Sequence, residues 1–269
     1  MKNFLCNMRS LSLLLIISSL PKFAIGEVSS SESQNEPPNL GNFALPTSQQ
    51  PGPFFSFGQS LIDKNQIQFY VSPNYLYYKN ENYLTISPSM VYGLSNKASF
   101  LVTVPVAASY RNETSRSNGL GDTYFQGEFA FYEHSNFRYV DQMTFVGGLT
   151  APTGSVNKDP SIGFGAVSYF LGGTYNRMSV DWLAIASTGL NVITKHHGMK
   201  LGNQYLYQMG LGRNIKSKTG KYIFFGLVEV NGIYTGKDKF IGEVDPNSGG
   251  NLVNIILPCG FRLKNCFFS

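Results

Sequence analysis

Charged residues are scarce in this sequence. Asp, Glu, Lys and Arg make up 14% of its 269 residues, whereas about 25% is usual for a soluble domain. Beyond the first 26 residues the apolar runs are short and interrupted, and a membrane-spanning helix needs roughly 20 consecutive apolar residues. The low charge therefore argues against an ordinary soluble domain, and the short runs argue against a helical membrane protein.

Histidine and cysteine are also rare, with three of each. A zinc site needs about three or four ligands, and no Cys, Asp or Glu stands next to His196-His197. We therefore predict no metal and no other cofactor, and we interpret these histidines and His134 as solvated. Cys259 and Cys266 are interpreted as unpaired.

Aromatic residues and glycine are abundant, by contrast. The chain has 21 Phe, 16 Tyr and 28 Gly. High aromatic content, low charge and the lack of a hydrophobic helix are together typical of a transmembrane β-barrel.

The N-terminus has the pattern of a secretory signal peptide. Lys2 and Arg9 give it a positive start, residues 11–20 are apolar, and Ala24 and Gly26 are small residues at cleavage-site spacing. The apolar run is about half as long as a membrane span. We predict that residues 1–26 are removed on export and that the mature chain is located in the bacterial outer membrane.

Net charge gives little reason to expect a nucleic-acid partner. Without the first 26 residues, 18 basic residues face 16 acidic ones, so the net charge falls from +5 to +2. The remaining bases are unevenly spread, with ten bases and four acids in residues 195–269. We interpret this excess as basic residues in turns; the alternative is a basic binding face.

The mature chain divides into a tail and a region of repeated segments. Residues 27–53 are rich in Ser, Glu, Gln, Asn and Pro, which predicts a flexible, disordered periplasmic tail. Residues 54–269 contain segments with alternating apolar and polar positions, separated by turn residues. Ten segments begin near Gln66, Asn82, Lys97, Leu120, Phe137, Ser161, Met178, Gly202, Tyr222 and Leu252, and an eleventh is conceivable at 54–61.

The segment that follows Gly121 alternates most clearly. Because side chains alternate between the two faces of a strand, one face should be apolar and the other polar. The positions on the apolar face are Thr123, Phe125, Gly127, Phe129 and Phe131. The positions on the polar face, called the polar parity here, are Asp122, Tyr124, Gln126, Glu128, Ala130 and Tyr132.

A soluble β-sandwich would alternate in the same way. Two features favour the membrane: the segments are close to the 9–11 residues of a tilted transmembrane strand, and tyrosines cluster at their ends as in interface girdles. We therefore predict an all-β protein, an antiparallel transmembrane β-barrel of about 10–12 strands with a narrow lumen. The girdle candidates are Tyr75, Tyr77, Tyr78, Tyr83, Tyr92, Tyr110, Tyr205 and Tyr207.

Long polar loops are expected on the outer side of such a barrel, and short turns on the periplasmic side. The long connections lie at 111–118, 154–160 and 236–250. The connection at 195–200 fits either side.

The polar parity supplies the residues that we predict to line the lumen. Its two acids could favour cations in a pore, or they could pair with basic residues such as Arg138 or Arg177. The candidates are Asp122, Tyr124, Gln126 and Glu128.

Three stretches carry a resemblance to a known family. NGLGDTYFQGEFAFY at 118–132, GLTAPTGS at 148–155 and DPNSGGN at 245–251 resemble outer-membrane transporters of the family named after the meta-cleavage pathway of phenol degradation. The resemblance covers most of the chain from about residue 54. It implies a barrel of about twelve strands, with the outer-membrane bilayer and a small, hydrophobic solute as partners.

The chain departs from this family at its C-terminus. One segment, 252–263, is followed at once by Lys264 to Ser269, where the family usually has two further strands. We expect the last strand to be missing or altered.

Three classes of function stay open. A passive channel or transporter is favoured, and a structural or surface-interaction barrel without transport is the alternative. An outer-membrane enzyme would need a Ser nucleophile beside a His and an orienting group. Since no recognisable motif combines them, we predict that the protein is not an enzyme.

Overall fold

The protein is described from a computed structural model. The structure describes residues 37–45, 50–52, 57–58, 61–78, 81–196, 198–263 and 267–268. These residues form an all-β fold with one short 3-10 helix, Gly41–Ala44, and without an α-helix. No described helix has the length and hydropathy to cross a membrane. The predicted signal peptide lies outside the described residues.

Eight long strands form most of the sheet. They are β1 (Ile67–Tyr78), β2 (Glu81–Ser95), β6 (Thr123–Ser135), β7 (Tyr139–Ala151), β8 (Ser168–Ser179), β9 (Trp182–Ile193), β11 (Gln204–Lys218) and β12 (Tyr222–Thr235). The shorter strands of this sheet are β3 (Ala98–Thr103), β4 (Val106–Arg111), β5 (Arg116–Leu120), β15 (Gly250–Ile256), β16 (Cys259–Leu263) and β17 (Phe267–Phe268). A second, small sheet consists of β10 (Met199–Lys200), β13 (Lys239–Phe240) and β14 (Glu243–Val244).

The main sheet is an antiparallel meander. β3 and β4 lie end to end along β2, and β15 and β16 lie end to end along β12. When β5 and β6 are joined in the same way, the sheet has ten strand positions that correspond to the ten predicted segments, and the two-residue β17 adds an eleventh next to β16. The predicted all-β, antiparallel fold is confirmed. Among the described residues no pairing joins β1 to β15, β16 or β17, so the closed barrel stays a prediction.

Two strand starts differ from the prediction. β8 begins at Ser168 rather than near Ser161, because residues 152–167 form a loop that is held by hydrogen bonds to Asp122. β9 begins at Trp182 rather than near Met178. Residues 57–58 and 61 of the conceivable eleventh segment are not in a strand.

Prolines mark two of the strand breaks. Pro105 separates β3 from β4, and Pro258 separates β15 from β16. Proline has no backbone N–H and therefore cannot donate to the strand ladder. Their carbonyl groups still accept, from the Gly121 amide at 2.7 Å and from the Leu227 amide at 2.9 Å.

The two faces of the sheet have opposite polarity. One face, called the inner face here, buries polar side chains; the other, the outer face, exposes large apolar ones. Buried polar residues of the inner face include Gln68, Ser99, Gln126, Glu128, Thr144, Thr174, Ser187, Gln208, Glu229 and Arg262. Exposed apolar residues of the outer face include Phe69, Phe129, Phe131, Phe145, Leu171, Met209, Leu211, Val228 and Ile255.

The predicted tyrosine girdle is divided between these faces. Tyr75, Tyr77 and Tyr205 are exposed on the outer face. Tyr83 and Tyr110 instead pair on the inner face, with ring centroids 5.1 Å apart. They share the strand parity of the buried residues, so their assignment to an outer girdle was wrong.

The 3-10 helix packs against the inner face near the turn between β8 and β9. The Asn42 amide donates to the Val180 carbonyl, and its side-chain Nδ2 donates to the Ser179 carbonyl, both at 2.7 Å. Leu45, directly after the helix, is buried in one cluster with Ile223 and Phe225 of β12. These contacts hold the helix among residues from several strands.

Described residues that precede β1 also lie on the inner face. The Phe57 ring lies edge-on to Phe170, with centroids 4.7 Å apart, and the Ile62 amide donates to Ser99 Oγ at 3.0 Å. Residues 37–45, 57–58 and 61–66 are named the inner segment here. Residues 41–45 lie within the predicted flexible tail, and their burial differs from that prediction. Residues 27–36 lie outside the described residues.

Four short connections and four long ones lie at opposite ends of the sheet. The turn end has the connections 96–97, 136–138, 180–181 and 219–221, and the loop end has 112–115, 152–167, 194–203 and 236–249. The connection that fitted either side, 195–200, lies at the loop end. There β10 pairs with β13 and thereby joins two of the long loops.

Candidate functional site

A chain of hydrogen bonds follows the inner face of β6. The Tyr124 hydroxyl donates to Gln126 Oε1 at 2.8 Å, and Gln126 Nε2 donates to Glu128 Oε1 at 2.5 Å. These residues are two positions apart along a strand, so they share one face and lie in a row. Gln126 and Glu128 are both buried.

The neighbouring strands continue this polar row. Ser99 of β3 lies opposite Glu128, and Thr103 lies opposite Tyr124. The Thr103 hydroxyl is 2.8 Å from the hydroxyl of Ser89 on β2. Hydroxyl, amide and carboxylate groups are thus arranged side by side across three strands.

A second polar group lies on the C-terminal side of the sheet. Glu229 of β12 is fully buried, and Gln208 Nε2 donates to its Oε2 at 3.4 Å. Arg262 of β16 is also buried, with its guanidinium carbon 5.5 Å from the centroid of the Phe225 ring. Burying charge is costly unless it is paired or hydrogen-bonded, so the Gln208 amide stabilises the buried Glu229 carboxylate.

Tyr70 links the two polar groups. This residue of β1 interacts electrostatically with Arg262 of β16 and with Glu128 of β6. β1 and β16 are near opposite ends of the pairing order. The sheet therefore curves so far that inner-face side chains from its two ends become electrostatic neighbours.

Three of the four predicted lumen residues come together on the inner face, namely Tyr124, Gln126 and Glu128. Whether this face lines a lumen stays a prediction. Arg177, a suggested partner for the acids, instead pairs with Asp141 at 2.6 Å. Arg138 lies over the Phe137 ring at 5.2 Å. Both arginines are near the turn end, away from the loop end to which Asp122 belongs.

Asp122 has a different position from the other three. It lies in the break between β5 and β6, and its two carboxylate oxygens accept from the backbone amides of Gly154 at 2.8 Å and Phe164 at 2.7 Å. A Cβ atom on Gly163 would be 2.5 Å from Asp122 Oδ1. The Asp122 carboxylate thus holds the 152–167 loop on the end of the sheet.

Replacing Asp122 with Ala should loosen this loop. Two amides would lose their acceptor, and leaving a buried donor unsatisfied costs about 1–3 kcal/mol. We expect faster proteolytic cleavage within 152–167 and a lower free energy of unfolding. The Asp122→Asn variant keeps an acceptor oxygen and should lie between wild type and Asp122→Ala; equal cleavage rates in all three would contradict the anchoring role.

Sequence reasoning missed Tyr70, Gln208, Glu229 and Arg262. The alternation of β12 does reveal the face of Glu229, because its parity includes the buried Ile223 and Phe225. No local pattern could have paired Tyr70 with Arg262, since 192 positions separate them.

The remaining predicted residues lie outside this site. His134 has its ring 6.0 Å from that of Tyr139, and strand pairing places it opposite Asp141. Cys259 is a free, exposed cysteine. His197 and Cys266 lie outside the described residues.

Comparison with known proteins gives one result at the level of family. A search of curated proteins gave no match. A family model described as "Putative MetA-pathway of phenol degradation" matches residues 52–247, which is well over half of the chain. The match includes the inner-face residues of β6 and β12, and it agrees with the resemblance in the sequence. The chain belongs to this family.

Proposed function

We propose that the protein is an outer-membrane β-barrel and acts as a passive channel or transporter for small molecules, hydrophobic ones among them. The inverted polarity of the sheet carries this proposal. Polar residues are buried on the inner face while Phe, Leu, Met and Ile side chains are exposed on the outer face. This is the arrangement of transmembrane barrels, whose apolar band faces lipid and whose interior is polar.

Exposure of the apolar outer face to water would be energetically unfavourable. Soluble monomers rarely expose a contiguous apolar patch larger than a few hundred Å², and here exposed apolar residues occur on strands from β1 to β15. A soluble sandwich would cover such a face with a second sheet. The described second sheet has only the short strands β10, β13 and β14, which lie at the loop end.

Membrane insertion requires a closed sheet, because free strand edges are not tolerated in lipid. The interaction between Tyr70 and Arg262 supports closure, since it brings β1 near β16. β17 pairs with Arg262 and Phe261 of β16. In the proposed barrel β1 and the C-terminal strands form the seam.

The family name and the chemical groups on the inner face together suggest the type of solute. The family name refers to phenol degradation, which suggests small aromatic or hydrophobic molecules by analogy only. The inner face offers hydroxyl and amide groups beside aromatic rings, as between Thr85 Oγ1 and the Tyr110 hydroxyl at 2.9 Å. Such a surface suits a small molecule that has a ring and a polar group.

A structural or surface-interaction barrel without transport is the second candidate. The inner segment favours it, because Asn42, Leu45 and Phe57 take up space on the inner face. In a barrel of about 10–12 strands the lumen is narrow even without this segment. We propose no catalytic role for either candidate.

The proposed barrel can be tested by fractionation and gel mobility. We expect the protein in the outer-membrane fraction, and we expect boiled and unboiled samples to migrate differently, because a closed barrel stays compact in cold detergent. Its absence from that fraction, or equal mobility, would refute the barrel. Conductance across planar bilayers then separates the two candidates, since only the channel passes ions or solute.

A further inference from the structure

Arginine side chains lie against aromatic rings on the outer face at the turn end. The Arg177 guanidinium carbon is 4.6 Å from the Tyr139 ring centroid, and that of Arg213 is 5.0 Å from the Trp182 ring centroid. Nε and Nη2 of Arg177 also donate to the two Asp141 oxygens, each at 2.6 Å. These five residues are named the arginine belt here.

Strand register makes the belt continuous. Asp141 of β7 lies opposite Arg177 of β8, and Trp182 of β9 lies opposite Arg213 of β11. β7, β8, β9 and β11 are consecutive neighbours in the sheet. Since neighbouring strands are about 4.8 Å apart, the belt spans roughly 15 Å of the outer face.

Charge is unbalanced at this end of the sheet. From the 136–138 turn to β12, the turn end has six basic and two acidic side chains. The loops 112–115, 152–167, 194–203 and 236–249 have five of each among their described residues. The bases at the turn end are Arg138, Arg177, Arg213, Lys216, Lys218 and Lys221.

We propose that the arginine belt binds the phosphate groups of anionic phospholipids in the leaflet at the turn end. This inference rests on the proposed membrane insertion. The sequence left two explanations for the excess of basic residues in the C-terminal region, namely turn residues and a binding face. The proposal favours the binding face and makes it a lipid-binding surface.

The chemistry of the belt fits this ligand. Guanidinium groups form bidentate, charge-assisted hydrogen bonds with phosphate oxygens, and basic residues near an anionic leaflet gain about 1 kcal/mol each. Trp and Tyr prefer the headgroup level of a bilayer. Arg213 has no carboxylate within ion-pair distance in the described part of the chain, so its charge is available for a phosphate.

Trp182 provides the measurement, because it is the only tryptophan of the chain. The full-length protein is placed in phosphatidylcholine vesicles that contain a fixed fraction of chain-brominated lipid, either phosphatidylglycerol or phosphatidylcholine. Bromine quenches the fluorescence of a nearby tryptophan. We expect stronger quenching by phosphatidylglycerol, corresponding to a local enrichment of about threefold to fivefold, the effect of roughly one basic group, and a decrease of this ratio with salt.

Two arginine variants test whether the belt causes the preference. Arg213→Gln should lower the quenching ratio towards one while leaving the Asp141–Arg177 pair in place. Arg116→Gln, an arginine variant at the loop end, should keep the wild-type ratio. Because each value is a ratio of two lipids, a direct effect of Arg213 on Trp182 emission cancels.

The outcomes separate this inference from the proposed function. Equal quenching by both lipids, or an unchanged ratio in Arg213→Gln, would overturn the lipid site and leave the barrel intact. The absence of quenching by either lipid would show that Trp182 is not in a bilayer, and would overturn both.

Discussion

Replacing Met209 with Arg should destabilise the folded protein in a bilayer by about 2–4 kcal/mol. Met209 lies within β11 on the outer face and is 71% exposed. In a soluble protein, a substitution at so exposed a site changes stability by only about 0.5 kcal/mol. In lipid, a guanidinium near the bilayer midplane has lost its hydration, and this loss is the cause of the large effect. Urea titration in phospholipid vesicles, read from the gel mobility of unboiled samples, measures the difference.

Phe164→Arg is the matched control for Met209→Arg. Phe164 is 66% exposed, but it lies in the 152–167 loop rather than in a strand. We expect a change of at most about 0.5 kcal/mol, as for ordinary surface sites. If both variants were nearly neutral, the outer face would be in contact with water, and the membrane proposal would have to be abandoned.

Replacing Leu45 with Asp should open the proposed channel. Leu45 is 3% exposed and packs with Ile223 and Phe225 of β12. Burial of a Leu side chain contributes about 1.5–3 kcal/mol, and a carboxylate would add the cost of burying a charge. The inner segment should then leave the inner face more often, so we expect the open fraction in planar bilayer recordings to rise at least about tenfold, the factor that corresponds to 1.4 kcal/mol.

Leu40→Asp provides the comparison within the same segment. Leu40 is 50% exposed and occupies the N-cap of the 3-10 helix, a position where Asp is favourable. This variant should therefore keep the wild-type conductance. Deletion of residues 37–58 extends the test, provided that the protein still shows heat-modifiable mobility. A deletion variant that folds and conducts no better than wild type would favour the structural barrel over the channel.

These two predictions address different parts of the proposed function. Met209→Arg tests whether the outer face meets lipid, whereas Leu45→Asp tests whether the inner segment blocks a path. A membrane barrel that stays closed in Leu45→Asp would keep its location and lose its proposed role in transport.

Local alternation explains why the strands could be predicted so well. Neighbouring side chains point to opposite faces of a strand, so the row of Tyr124, Gln126 and Glu128 follows from spacing alone. The same argument failed for Asp122, which has the right parity but lies in a strand break. It also failed for Tyr83 and Tyr110, whose aromatic character suggested an outer girdle while their parity places them on the inner face.

Long-range contacts were beyond sequence reasoning. The composition of residues 27–53 predicts a flexible tail, yet residues 41–45 are buried. Their burial depends on the carbonyl groups of Ser179 and Val180 and on Phe225, which are distant in the sequence. Likewise, Arg177 was considered as a partner of an inner-face acid, and only the register of β7 and β8 revealed its pairing with Asp141.

The sequence by itself determined the all-β class, the ten strand positions and the division into a polar and an apolar face. These properties depend on the two-residue period of a strand and on turn residues, both of which are local. Tertiary structure decided which groups meet: Tyr70 with Arg262, Asp122 with its loop, and the inner segment with the inner face. Such contacts depend on how far the sheet curves and on the register between strands, and neither is written in any short stretch of residues.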